Sequence, residues 1–81
     1  MATQPTVPRD FGVVLFESTQ GAIKGERALQ HAGFTPKLIP VPRHLSSDCG
    51  VCLRFSWPEY AGVEQALRAG DVQYVEIRRL A

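Results

Sequence analysis

From Val51 to Trp57 the chain alternates without a fault. Val51, Leu53, Phe55 and Trp57 fall on one side, Cys52, Arg54 and Ser56 on the other. A period of two is the signature of a β-strand with one buried face. Such a strand obliges the rest of the chain to supply a sheet around it and a layer over its apolar side. With 81 residues there is room for one domain and no second core. A chain this short buries only roughly 60–65% of the surface its unfolded form exposes, so its stability margin is modest.

The flanking residues supply the missing elements. Residues 1–10 carry two prolines and no periodicity, which predicts a flexible lead-in followed by a single domain over 11–81. Phe11 to Phe16 (FGVVLF) is a β-branched and aromatic run of strand length. Ser18 or Thr19 can cap a following helix, in which Ala22, Gly25, Leu29 and Ala32 recur at helical spacing beside Ala28. Small residues on that face let the helix lie close to a sheet, and Gly33 is placed to end it. Lys37 to Val41 (KLIPV) reads as a strand that Pro40 confines to an edge. Pro42 to Gly50 is a polar loop. After the alternating strand, Pro58 suits the first turn of a second helix with Tyr60, Val63, Ala66 and Leu67 inward. Gly70-Asp71 breaks that helix, and Val72 to Leu80 closes the chain as a strand with Val75 and Ile77 inward.

The order strand, helix, strand, strand, helix, strand is that of the ferredoxin-like α+β sandwich: βαββαβ, a four-stranded antiparallel sheet with two helices on one face. This fold hosts sensors, carriers, RNA binders and enzymes, so function has to be argued from residues. Nine Lys+Arg against eight Asp+Glu leave a formal charge of +1, which predicts no strong attraction to nucleic acid or to an acidic membrane. Arg78 and Arg79 read as a solvated edge. The longest apolar stretches are far too short to span a bilayer, and the first residues lack the apolar core of a signal peptide. Two cysteines are too few for a secreted disulfide scaffold, so a cytoplasmic, reducing setting is expected.

Both cysteines lie in SSDCGVCLRF, residues 46 to 55. In the expected topology the third strand begins at the sheet end where the first stops and helix 1 starts. Cys49 is therefore expected near the first turn of that helix, around Ser18 to Ala22. A helix N-terminus carries partial positive charge and N–H groups, and both favour a thiolate, the nucleophilic form of cysteine. Arg43 and His44, in the same loop, would add positive charge. Cys52 shares its phase with Arg54 and is expected as a small, partly exposed strand residue.

The same geometry argues against a working pair. A strand rises roughly 3.3 Å per residue, so positions three apart lie roughly 10 Å apart, whereas a disulfide needs Cα atoms within about 7 Å. A bulge at Gly50 is the one escape. A metal set of His44, Asp48, Cys49 and Cys52 lacks the second pair that zinc sites of this kind use, and His31 lies at the far end of its helix. Two histidines leave little material for a catalytic triad. Gly21 and Gly25 make no phosphate loop, and Glu26 is expected in a structural ion pair.

Over most of residues 11 to 57 the chain resembles the small bacterial Se/S carrier protein-like family. The resemblance rests on Ala22, Glu26 and Leu29 in the first helix, and on Pro42, Arg43, Ser46, Cys49, Gly50 and Arg54 in LIPVPRHLSSDCGVCLRF. It implies a carrier, not a stand-alone enzyme, that bears a transient persulfide or selenosulfide on Cys49 and has no resident cofactor. The atom would come from a donor such as a cysteine desulfurase and pass to an acceptor protein. Arg43, the Ser46 hydroxyl, His44 and the backbone at Gly50 would steady the terminal anion. The family pattern does not require a cysteine at position 52. Two other readings stay open: a dithiol redox or metal-handling protein using Cys49 and Cys52, and a ligand-sensing or assembly module that forms a homodimer through the open sheet face or an edge strand.

Overall fold

A computed structural model describes residues 10–45 and 49–80. Its elements run β1 (Phe11–Leu15), α1 (Thr19–His31), β2 (Lys37–Pro40), β3 (Val51–Ser56), a single 3₁₀ turn (Trp57–Glu59), α2 (Tyr60–Ala69) and β4 (Glu76–Arg79). The sheet order is β2-β3-β1-β4, antiparallel throughout, with both helices on one face. This is the ferredoxin-like α+β arrangement. Asp10, the last residue of the expected lead-in, is tied to the sheet. Its carbonyl accepts the Trp57 N–H at 2.9 Å, and its carboxylate takes a two-point bond from Arg79.

Pattern and caps account for the elements. Val14, Phe16, Leu53 and Phe55 present one face of β1 and β3 to Ala22 and Leu29 of α1 and to Val63 and Leu67 of α2. Ser18 caps α1, its hydroxyl accepting the Gly21 N–H at 3.1 Å. At the other end Gly33, at φ 95°, lets the Phe34 N–H reach the Leu29 carbonyl at 2.9 Å and the Gly33 N–H reach that of Gln30 at 3.0 Å. That reciprocal pair is the Schellman closure glycine makes possible.

The end of α2 repeats the motif with a different residue in the critical place. Val72 N–H bonds the Leu67 carbonyl and Asp71 N–H that of Arg68, so the left-handed position falls on Asp71, at φ 56°. Asp71→Gly is therefore expected to stabilise the fold by about 0.5–1 kcal/mol, since glycine carries no Cβ penalty there. A thermal or urea midpoint at or below that of the wild type would contradict this.

The same closure corrects the expected last strand. It folds Val72 back onto the core, so residues 72–75 are irregular and β4 starts only at Glu76. Val75, expected inward, is 55% exposed, while Ile77 packs on the core as expected. Tyr60 is also at the surface. The 3₁₀ turn at Pro58 takes Trp57 out of the strand, and Tyr60 lies against its ring, centroids 4.9 Å apart. Ala32 serves as the C-cap of α1 and is exposed.

The face away from the helices holds the largest departure. Cys52, expected to be partly exposed, is fully buried among Val13, Leu15 and Leu45, with Ile39, Val41 and Leu80 around them. The cause is Leu45. The β2–β3 connection brings it back onto this face as a cap, so the sheet is apolar on both sides of its centre. Further along, Arg54 lies over the Phe11 ring at 4.2 Å.

Candidate functional site

The site begins with a strand that stops and a helix that starts. β1 ends at Leu15, and α1 begins at Thr19 after the Ser18 cap. The first turn of α1 contains no acidic residue, so no carboxylate in that turn offsets the partial positive charge of the helix end. β3, antiparallel to β1, begins beside this point, with Cys52 opposite Leu15. Cys49 precedes β3 and meets the helix: its Sγ lies 3.9 Å from the Thr19 Oγ1. Either atom can donate in that contact. With a thiolate at Cys49, the Thr19 hydroxyl is the donor.

Cys49 is only 4% exposed. Gly50, its neighbour, is exposed, and its carbonyl accepts the Val41 N–H at 3.1 Å, closing the β2–β3 connection. A Cβ at Gly50 would meet nothing within 4 Å, and its φ is not positive, so neither space nor backbone demands a glycine there. Arg43 and His44 are exposed. Ser46, named with them from the sequence, lies outside the described residues, as does Asp48.

The two cysteines occupy different environments, and neither is in a disulfide. Cys49 contacts α1. Cys52 sits opposite Leu15 and Ile39 in the apolar cluster on the other face. Burial pushes the Cys52 thiol up from its ordinary range, and charge at Cys49 pushes it further. A thiol held protonated is a poor nucleophile.

Among the described residues no three His, Cys, Asp or Glu side chains gather as metal ligands. Among the described residues Glu26 makes no ion pair with a Lys, Arg or His, contrary to expectation. A shallow cleft of about 360 Å³ also opens at the start of α1, lined by Ser18, Gly21, Lys24 and Tyr74, but Cys49 is not part of its wall. No described helix is long and apolar enough to cross a membrane.

Two residues that matter here were not singled out as site residues in the sequence. Thr19 stood there only as an alternative cap. Leu45, hidden in a polar loop, carries one signal: it is the lone large apolar side chain between Val41 and Val51.

Comparison with known proteins adds a relative and a family. The chain is 43% identical over 44 residues to "Uncharacterized protein YtiA" of Escherichia coli (strain K12), a match covering 54% of this chain. The chain spans about half the length of that relative, 52%. No solved structure matches. Residues 11–79 match the family described as "Putative Se/S carrier protein-like", from the first residue of β1 to the last of β4. With nearly the whole described fold matched, the chain belongs to this Se/S carrier protein-like family.

Proposed function

We propose that this chain is a cytoplasmic carrier that holds one sulfur or selenium atom on Cys49 and passes it from a donor protein to an acceptor. The observation that carries this reading is the placement of the Cys49 sulfur against Thr19 at the first turn of α1, in a chain whose family is named for Se/S carriage. In loading, the Cys49 thiolate attacks the terminal sulfur of a donor persulfide. A new S–S bond forms at Cys49, the donor's own S–S bond breaks, and the donor cysteine leaves as a thiolate. Delivery reverses the roles, with an acceptor nucleophile taking the terminal atom and Cys49 leaving. No net oxidation occurs in either step, so no resident cofactor is called for. Selenium follows the same course from a selenosulfide donor.

The Thr19 hydroxyl and the α1 N-terminus would steady the anion in each half-reaction. The exposed Arg43 and His44 suit the approach of an acidic partner surface, and Ser46 and Gly50 belong to the same segment. Intact mass after incubation with a persulfide-loaded cysteine desulfurase, or with a selenosulfide donor, tests the reading. Gain of a single sulfur or selenium atom supports it, and an unchanged mass with both donors rejects it.

Burial of Cys49 makes access a separate requirement. Cys49 must become accessible for a donor to reach its sulfur, and Leu45, 7% exposed in the cluster under the sheet, is a described side chain that anchors the β2–β3 connection. Leu45→Ala removes that anchor at a cost of about 2 kcal/mol or somewhat more. It is expected to raise the rate of Cys49 alkylation by iodoacetamide at neutral pH several-fold. An unaltered rate in a folded variant would mean that Leu45 does not govern access.

A further inference from the structure

A four-stranded sheet has two edges, and this chain treats them differently. On the β2 side the Val41 N–H points inward, donating to Gly50 on the β3 side, and Ile39 and Lys37 share its direction by alternation. The outward backbone positions are then Pro36, Leu38 and Pro40. Two of these three have no N–H to offer, so this edge cannot donate a ladder.

The β4 edge carries no such block. Leu80 N–H donates to the Phe11 carbonyl at 2.8 Å, so Leu80, Arg78 and Glu76 turn their backbone groups toward β1. Those of Ile77 and Arg79 therefore point away from the sheet. The Arg79 side chain is held aside by Asp10, at 2.7 Å and 3.0 Å, and does not cover the strand. Glu76 and Arg78 are exposed on the face away from the helices, and Val75 stands 55% exposed where the strand begins.

We propose that the β4 edge is a homodimer surface, pairing antiparallel with β4 of a second copy of this chain about a twofold axis at Ile77. Charged side chains usually keep an edge strand unpaired. Here their order along the strand decides otherwise, because Glu76-Ile77-Arg78 is complementary to its own reverse. With Ile77 opposite Ile77, Glu76 of each copy faces Arg78 of the other, twice by symmetry. The outward N–H groups permit only slips of two residues. One slip sets Arg78 against Arg78, and the other sets Glu76 against Glu76. Like charges directly opposite are unfavourable, so the sequence selects both the register and the partner.

The existing Arg78–Glu76 contact within one chain, at 3.6 Å between half-exposed groups, is a weak surface pair and gives way at little cost. The Val75 N–H is donated to the Leu15 carbonyl of its own chain at 2.7 Å, so the shared ladder is the reciprocal Ile77–Ile77 pair, with a Glu76–Arg78 pair on either side of it. The two four-stranded sheets become one continuous sheet. This interface stands independently of what Cys49 carries.

Sedimentation velocity on the full chain from low micromolar to millimolar concentration tests it. The wild type is expected to move from monomer to dimer across that range. Arg78→Glu and Glu76→Arg each turn two attractive cross-strand pairs into repulsive ones and are expected to weaken the dimer about tenfold or more. An equimolar mixture of the two variants restores opposite charges at both pairs and is expected to form a heterodimer at wild-type concentrations. That recovery also shows that both variants fold. A wild type monomeric throughout, variants that dimerise as well as the wild type, or a mixture no better than its components would each overturn the proposal.

Discussion

Gly25→Val is expected to cost about 3 kcal/mol or more and to leave little folded protein at physiological temperature. Gly25 sits in the middle of α1, where glycine is ordinarily about 1 kcal/mol worse than alanine. It is there because α1 lies directly on the sheet. A Cβ at this position would come within 2.7 Å of Phe16 Cζ, 3.0 Å of its Cε1 and 3.2 Å of Leu53 Cδ1. Phe16 and Leu53 are both fully buried, so neither has open space to retreat into. Valine adds two further carbons and a stiff χ1 to that clash. Relief requires lifting α1, which also moves Thr19 away from Cys49. Gly50→Ala is the matched control. With nothing within 4 Å of the added carbon, its unfolding midpoint should stay within about 0.5 kcal/mol of wild type. A Gly25→Val protein with a wild-type midpoint would mean that α1 does not pack this closely.

Cys52→Ser carries the second large effect, and the direction differs between stability and chemistry. The substitution places a hydroxyl among Val13, Leu15 and Leu45, where the side chain is fully buried and apolar groups surround it. An unsatisfied buried hydroxyl costs about 1–3 kcal/mol, a large share of the margin of so small a domain. Uptake of sulfur or selenium should nevertheless persist, because Cys52 lies on the opposite face from the Thr19 contact. Complete loss of the adduct in a folded Cys52→Ser protein would restore the dithiol reading. Linkage adds a check by pH. The folded state holds the Cys52 proton more tightly than the unfolded chain does, because burial disfavours the thiolate. The stability this contributes is fully present below the ordinary thiol range and is lost as pH rises through the raised folded value. Cys52→Ala should therefore flatten the alkaline fall in stability, and an identical slope would contradict the assignment.

These two positions also mark what could be read in advance. The architecture was legible because its signals are local and consistent. The alternation from Val51 to Phe55, the buried stripe Ala22, Gly25 and Leu29, and Gly33 as a helix stop all act within a few residues of themselves. Topology then placed Cys49 beside the start of α1 with no knowledge of side chains. What escaped was decided at longer range. Leu45, seven residues before Cys52 and outside any strand, packs beneath the sheet on Cys52, and no periodicity announces that. Val13 and Leu15 hinted at it, since FGVVLF is apolar on both faces of its strand and so calls for two covers. The start of β4 was misplaced for a similar reason. Val72 and Val75 look alike in sequence, but the left-handed turn at Asp71 sends one to the core and the other to solvent.

The burial of Cys49 gives the carrier account its sharpest constraint. Cys49 is only 4% exposed, so on the proposed reading an atom held there would exchange slowly with small thiols. The proposed delivery would then require a partner that gives access to Cys49. Arg43 and His44 are exposed on the β2–β3 connection.

The most direct test compares intact masses of wild type, Cys49→Ser and Cys52→Ser after the same exposure to a persulfide-loaded cysteine desulfurase. The account predicts a one-atom gain in the wild type and in Cys52→Ser, and none in Cys49→Ser. A gain that survives in Cys49→Ser, or an internal disulfide in the wild type that vanishes in both variants, would contradict it.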